Sequence, residues 1–120
     1  MQKPNLFSFN DTVHSPDAAE ALPLLIEYYE NVVMGAMSAG KVTKSLNSSF
    51  GKGKGTPLFV IPAKTRDATD NAALSYSVAV GTTDGTISIT QHSTNTSATS
   101  NITNSFLVVG KVDPVSVAQV

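Results

Sequence analysis

From Gly85 to Gly110 the chain carries no Asp, Glu, Lys or Arg, and Ser, Thr and Asn dominate the stretch. Ile87, Ile89, Ile102, Phe106, Leu107, Val108 and Val109 are set within it. An uncharged β-prone segment is what a soluble monomer normally avoids, because open strand edges pair with other chains unless a Lys, a Pro or a bulge blunts them. These edges are therefore covered inside the fold, or another subunit covers them. The feature points to assembly rather than to chemistry.

At 120 residues the length fits one domain with a real core. Hydrophobic residues make up 41%, an ordinary share, but charged residues only 14%, well below the usual quarter. Net charge is −1, so nothing global attracts nucleic acid or a membrane. The absence of cysteine excludes a disulfide framework and a thiolate metal site. Neither a secretory leader after Met1-Gln2-Lys3-Pro4 nor an apolar run of about 18 residues is visible. The expectation is a protein made in the cytoplasm, with no membrane span and no cofactor.

Ser15-Pro16-Asp17 has the chemistry of a helix start, with Ser15 as cap, Pro16 in the first turn and Asp17 at the positive dipole end. From Leu22, across Pro23, the residues Leu22, Leu25, Ile26, Tyr29, Val33, Ala36 and Met37 recur at helical spacing, and Gly40 suits the end. The sequence therefore predicts an arm or short edge strand over 1–14, a helical region over 15–40, a basic Gly-rich loop over 41–56 and a β-rich remainder over 57–120. Pro57 to Pro62 is an apolar strand, and Phe106 to Val109 a buried one. Tyr76, Val78 and Val80 alternate, Thr82-Thr83-Asp84-Gly85 turns, and Ile87 and Ile89 alternate again. A four-residue turn pairs Val80 with Ile87 and Val78 with Ile89. A two-residue Asp84-Gly85 turn pairs Val80 with Ile89 instead, and the first matches more apolar pairs. Gln91 to Asn101 is low in complexity and predicted to be a long mobile loop, and Val115 to Val120 a last edge strand or a tail. The predicted fold class is α+β, one N-terminal helix packed on a small, mostly antiparallel sheet or sandwich.

Motifs of chemistry fall short of their requirements. Gly35 to Lys41 matches G-x-x-x-x-G-K, but Val42 holds the place of the magnesium-binding hydroxyl, and the segment ends a predicted helix instead of opening one. Ser38-Ala39-Gly40-Lys41 spells S-x-x-K without the companion motifs of that nucleophile. His14 and His92 lie far apart with no carboxylate at ligand spacing, and Asp67 to Asn71 lacks the spacing of a calcium loop. No enzymatic reaction is indicated, and no catalytic, cofactor or metal residue is assigned.

The charges are segregated. Asp11, Asp17, Glu20, Glu27 and Glu30 occupy the first quarter, followed by Lys41, Lys44, Lys52, Lys54, Lys64 and Arg66 with no acid among them. Three readings fit that basic block. It is a solubilising loop, or it wraps a polyanion or nucleic acid with Phe50 as stacking surface and Phe59 in the core, or it meets the acidic quarter of a neighbouring subunit. Small size, no Cys, Ser/Thr/Gly-rich β segments over 50–120, an irregular arm and low charge density together resemble the capsid decoration or cement proteins of bacteriophage particles. That resemblance is compositional and carries over no residue. It implies a non-enzymatic structural subunit whose partners are itself, with a trimer as first choice, and a larger assembly such as a capsid, with incorporation in a virion. The alternative is a polyanion- or nucleic-acid-binding module, against which the net charge and the scarcity of aromatics speak.

Overall fold

The computed structural model describes residues 6–8 and 23–112, and the regular elements among them are all strands. In chain order they are β1 (Leu6–Ser8), β2 (Pro23–Ala36), β3 (Lys41–Asn47), β4 (Gly55–Pro62), β5 (Arg66–Asp67), β6 (Ala72–Val80), β7 (Thr86–Ser93) and β8 (Asn101–Val112). They form two four-stranded sheets, β1-β2-β8-β4 and β3-β7-β6-β5, with antiparallel pairing throughout. The sheets stack as a sandwich with β2 beside β3 and β4 beside β6. Leu25, Val32, Met34, Phe50, Ile87, Ile89, Phe106 and Val108 fill the space between them. A second cluster of Met37, Leu74, Ala98 and Ile102 closes one end.

The α+β expectation is thereby corrected to all-β over the described residues. Residues 23–36, read as the body of a helix, are β2, while residues 15–22 lie outside the described residues. The cause is local and physical. The β2–β8 register slips between Tyr29 and Val32 and again between Val33 and Ala36. At the first slip Asn31 takes a left-handed φ of 54°, and at the second Gly35 takes 98°. Each extra residue switches which side of the strand faces inward. Leu25 and Tyr29 point inward before the first bulge and Val32 and Met34 after it, so an inward set at 25, 29 and 32 mimics helical spacing.

The Gly35–Lys41 motif is the passage from one sheet to the other. Ser38 and Lys41 bridge across Ala39 and Gly40, which both have positive φ as a two-residue I′ turn requires. A Cβ at Gly40 would stand 2.6 Å from the Asn95 carbonyl oxygen, so only glycine fits there. The segment read as a loop over 41–56 opens with β3, and the loop proper runs from 48 to 54.

Other expectations hold. Val78 pairs with Ile89 and Val80 with Ile87, the register of the four-residue turn. Pro57 to Pro62 lies within β4, and Phe106, Val108 and Val109 are buried in β8. Gln91 to Ser93 extends β7, so the predicted long loop shrinks to 94–100. It is tied down by Thr94 N–H to Ala73 O at 3.0 Å, Gly40 N–H to Ala98 O at 3.1 Å, and a buried Ala98. Residues 115–120 lie outside the described residues. The uncharged Gly85–Gly110 stretch supplies β7 and β8, each flanked by a strand on both sides. Its edges are covered within the fold.

Candidate docking face

With β7 and β8 in the middle of their sheets, the surfaces that the described residues leave to water are the two outer faces, and they differ. On the β3-β7-β6 face the outward rows read Lys41–His92–Ser75, Thr43–Thr90–Ser77 and Ser45–Ser88–Ala79. This is a hydroxyl-rich surface, with the Thr43 and Thr90 hydroxyls 3.0 Å apart. On the β2-β8-β4 face the rows read Ile26–Val109–Phe59 and Tyr28–Leu107–Ile61. Tyr28 is 61% exposed, Phe59 49% and Ile61 51%, so this face presents a contiguous apolar patch where a soluble surface would carry polar groups. Leu58, at a bulge in the β4–β8 register, and Val33 on β2 are also exposed.

The strands explain why these residues face out. β4 has Pro57 and Pro62 near its ends, which suits an edge strand with one partner. Along it Val60 packs inward, so Phe59 and Ile61 are left outside. The two phenylalanines thus exchange the roles the sequence suggested. Phe50, read as a stacking surface, is fully buried, and Phe59, read as core, is half exposed. Phe50 sits in the 48–54 loop, where Ser48 Oγ accepts its N–H at 2.9 Å and its ring plugs the end of the sandwich beside Gly110.

The charged candidates do not converge. Lys41 and Lys44 lie along β3, one edge of its sheet, and Lys52 and Lys54 are in the loop beyond the far end of that strand. Arg66 is on β5, the opposite edge of the same sheet, and Lys64 lies in the connection from β4 to β5, against β8. Several are engaged locally: Lys52 stands 4.0 Å from Asp84, Lys64 Nζ donates to Thr103 O at 2.9 Å, and Arg66 to Asn71 O at 2.6 Å. Of the acidic quarter, Asp11, Asp17 and Glu20 lie outside the described residues, as does His14. Glu27 is turned inward and accepts hydrogen bonds from Tyr29 Oη, from Ser48 Oγ at 2.6 Å and from Ser49 N–H at 3.0 Å. Burial alone would raise its pKa, but those hydrogen bonds outweigh it and hold the carboxyl below its ordinary value. The Tyr29 phenol is pushed up by burial and by the Glu27 acceptor.

A second polar group of residues spans the interior. Asn104 on β8 donates to Tyr76 Oη at 2.9 Å, and Tyr76 donates to Gln91 Oε1 at 2.6 Å. Asn104 also clamps the Lys64 backbone, accepting its N–H at 2.9 Å and donating to its carbonyl at 3.0 Å. Burial raises the Tyr76 phenol, hydrogen bonding from Asn104 lowers it, and the Asp67 charge adds to the rise. The second oxygen of Asp67 and the amide nitrogen of Gln91 are buried without a partner among the described residues. This seam ties one sheet to the other and fixes their alignment. It had no sequence signature, because Asn, Tyr and Gln far apart in the chain give no spacing to read.

Among the described residues no group of three or more His, Asp or Glu is placed to hold a metal ion, and no helix is long and apolar enough to cross a membrane. Comparison with protein-family models, with curated proteins and with solved structures returned no match.

Proposed function

We propose that this chain is a non-enzymatic structural subunit that docks its β2-β8-β4 outer face on a larger protein assembly, in the manner of an accessory virion protein. The observation that carries this reading is the pair of apolar rows Ile26–Val109–Phe59 and Tyr28–Leu107–Ile61 on one outer face, where Tyr28, Phe59 and Ile61 stand about half exposed or more around a covered Val109. Apolar surface gains about 25 cal/mol for each Å² removed from water, and exposed patches of this kind mark interaction sites. Two of the exposed residues are aromatic, the type that anchors interfaces. The compositional resemblance to phage decoration proteins supports a particle as the assembly. The polyanion-binding alternative requires a convergent basic surface, and the six cations occupy three separate places.

Sedimentation velocity tests the proposal, run on the purified chain at tens of micromolar and on native extract of cells that make it. The expected result is a species larger than the monomer in at least one of the two, lost in a Tyr28→Lys/Ile61→Lys variant whose circular dichroism is unchanged. A chain that sediments as a monomer in both samples overturns it.

A further inference from the structure

We infer that the first occupant of the β2-β8-β4 face is a second copy of the same face, packed across a two-fold axis that crosses the strands at the level of Val108. This inference rests on the docking reading and specifies its partner. Three observations carry it. The first is area. β2 and β8 run 14 and 12 residues. At about 3.3 Å per residue and about 4.8 Å between strands, the three-stranded face projects to roughly 600 Å², before side-chain relief is added. A standard interface takes about 800 Å² from each partner, so the whole face has to be covered, by something equally broad and flat. A second copy of the face has that shape.

The second observation is where the charges stand. Lys111 is exposed on β8, three residues beyond Val108, and pairs with Leu24. Ser105 is three residues before Val108, and the exposed Glu30 stands beside it on β2, at the bulge between Tyr29 and Val32. A two-fold axis across the strands at Val108 therefore brings the Lys111 level of one copy over the Glu30 level of the other, twice in the dimer. An axis parallel to the strands would keep each charge at the level of its own twin, lysine with lysine and glutamate with glutamate, which is repulsive. The third is registry of the apolar rows. The row through Val109 and the row through Leu107 lie one residue either side of the axis, so each row meets the other and the apolar surface is matched at the centre.

The test is sedimentation equilibrium on the full chain. The expected species is a dimer. Lys111→Glu alone and Glu30→Lys alone should each raise the dimer Kd by at least about threefold, since each makes two like-charge contacts, and the double variant should restore it. Tyr28→Lys should abolish the dimer with the circular dichroism unchanged. A trimer, or a dimer indifferent to the two charge reversals, or single reversals that the double variant fails to rescue, would overturn the inference. So would a monomeric purified chain that sediments with large particles in native extract, a result that leaves the docking reading standing. A monomer in both samples removes the docking reading as well.

Discussion

Protonating Glu27 takes away, at one stroke, the acceptor that holds the Ser48 hydroxyl and the Ser49 N–H. Its carboxyl sits below the ordinary value in the folded chain. The stabilisation it contributes is therefore fully present above the unfolded glutamate pKa, near 4.5, and is lost as pH falls through the lower folded value. Urea denaturation as a function of pH should show a slope in that acid window, and Glu27→Gln should flatten it while lowering stability at neutral pH. An unchanged slope would mean that other carboxylates carry the acid limb. A second residue-scale prediction concerns Gly110. A Cβ there would lie 2.5 Å from the Thr56 carbonyl oxygen and 2.6 Å from the Phe50 ring. Gly110→Ala should cost roughly 1–3 kcal/mol, because neither the backbone of β4 nor the plugged ring can move away freely. Thermal melting reads it, and a melting temperature equal to that of the parent would contradict the packing of Phe50. Neither residue advertised its role in the sequence. Glu27 reads as one more acid of the first quarter, and Gly110 as the end of an uncharged run.

At the scale of elements, alternation was legible wherever it ran without interruption. Tyr76, Val78 and Val80 against Ile87 and Ile89 gave both the hairpin and its register, because each strand shows one apolar and one polar side. β2 was misread for two reasons: its bulges switch the inward side, and its outward side is apolar as well, so no clean period of two survives. Composition held a better signal than spacing there. Ile26, Tyr28, Tyr29, Val32 and Val33 are β-formers crowded into eight residues. The faces of β7 give a paired prediction. Ile89 is fully buried against the core, whereas Thr90 points outward beside Thr43 and Ser77. Ile89→Asp should abolish the cooperative unfolding transition, since an unpaired buried charge consumes a large part of a small domain's stability. Thr90→Asp should leave the transition in place. If both variants behave alike, the inward and outward sides of β7 are wrongly assigned. The candidate face was the least legible part, since which of two apolar sides is covered depends on the sheet packed against it, which comes from elsewhere in the chain.

For the molecule as a whole, the order β1-β2-β8-β4 means that β2 and β4 touch no other long strand of their sheet except β8, the last one described. Pairing Leu24 with Lys111 closes a loop of most of the chain, the kind of distant contact that slows folding. Refolding from urea should accordingly proceed on the millisecond-to-second scale of β-sandwiches, and a microsecond phase that recovers the full native signal would contradict it. On the ribosome the same arrangement has a sharper meaning. A nascent chain released only as far as Ser100 holds β2 and β4 with no strand to lie between them, and their apolar sides wait in water for β8 to emerge. The interval between the emergence of β4 and the emergence of Asn101 to Val112 is thus when the newborn polypeptide shows most of this surface to chaperones and proteases, and to a neighbour on the same messenger whose own β8 is already free.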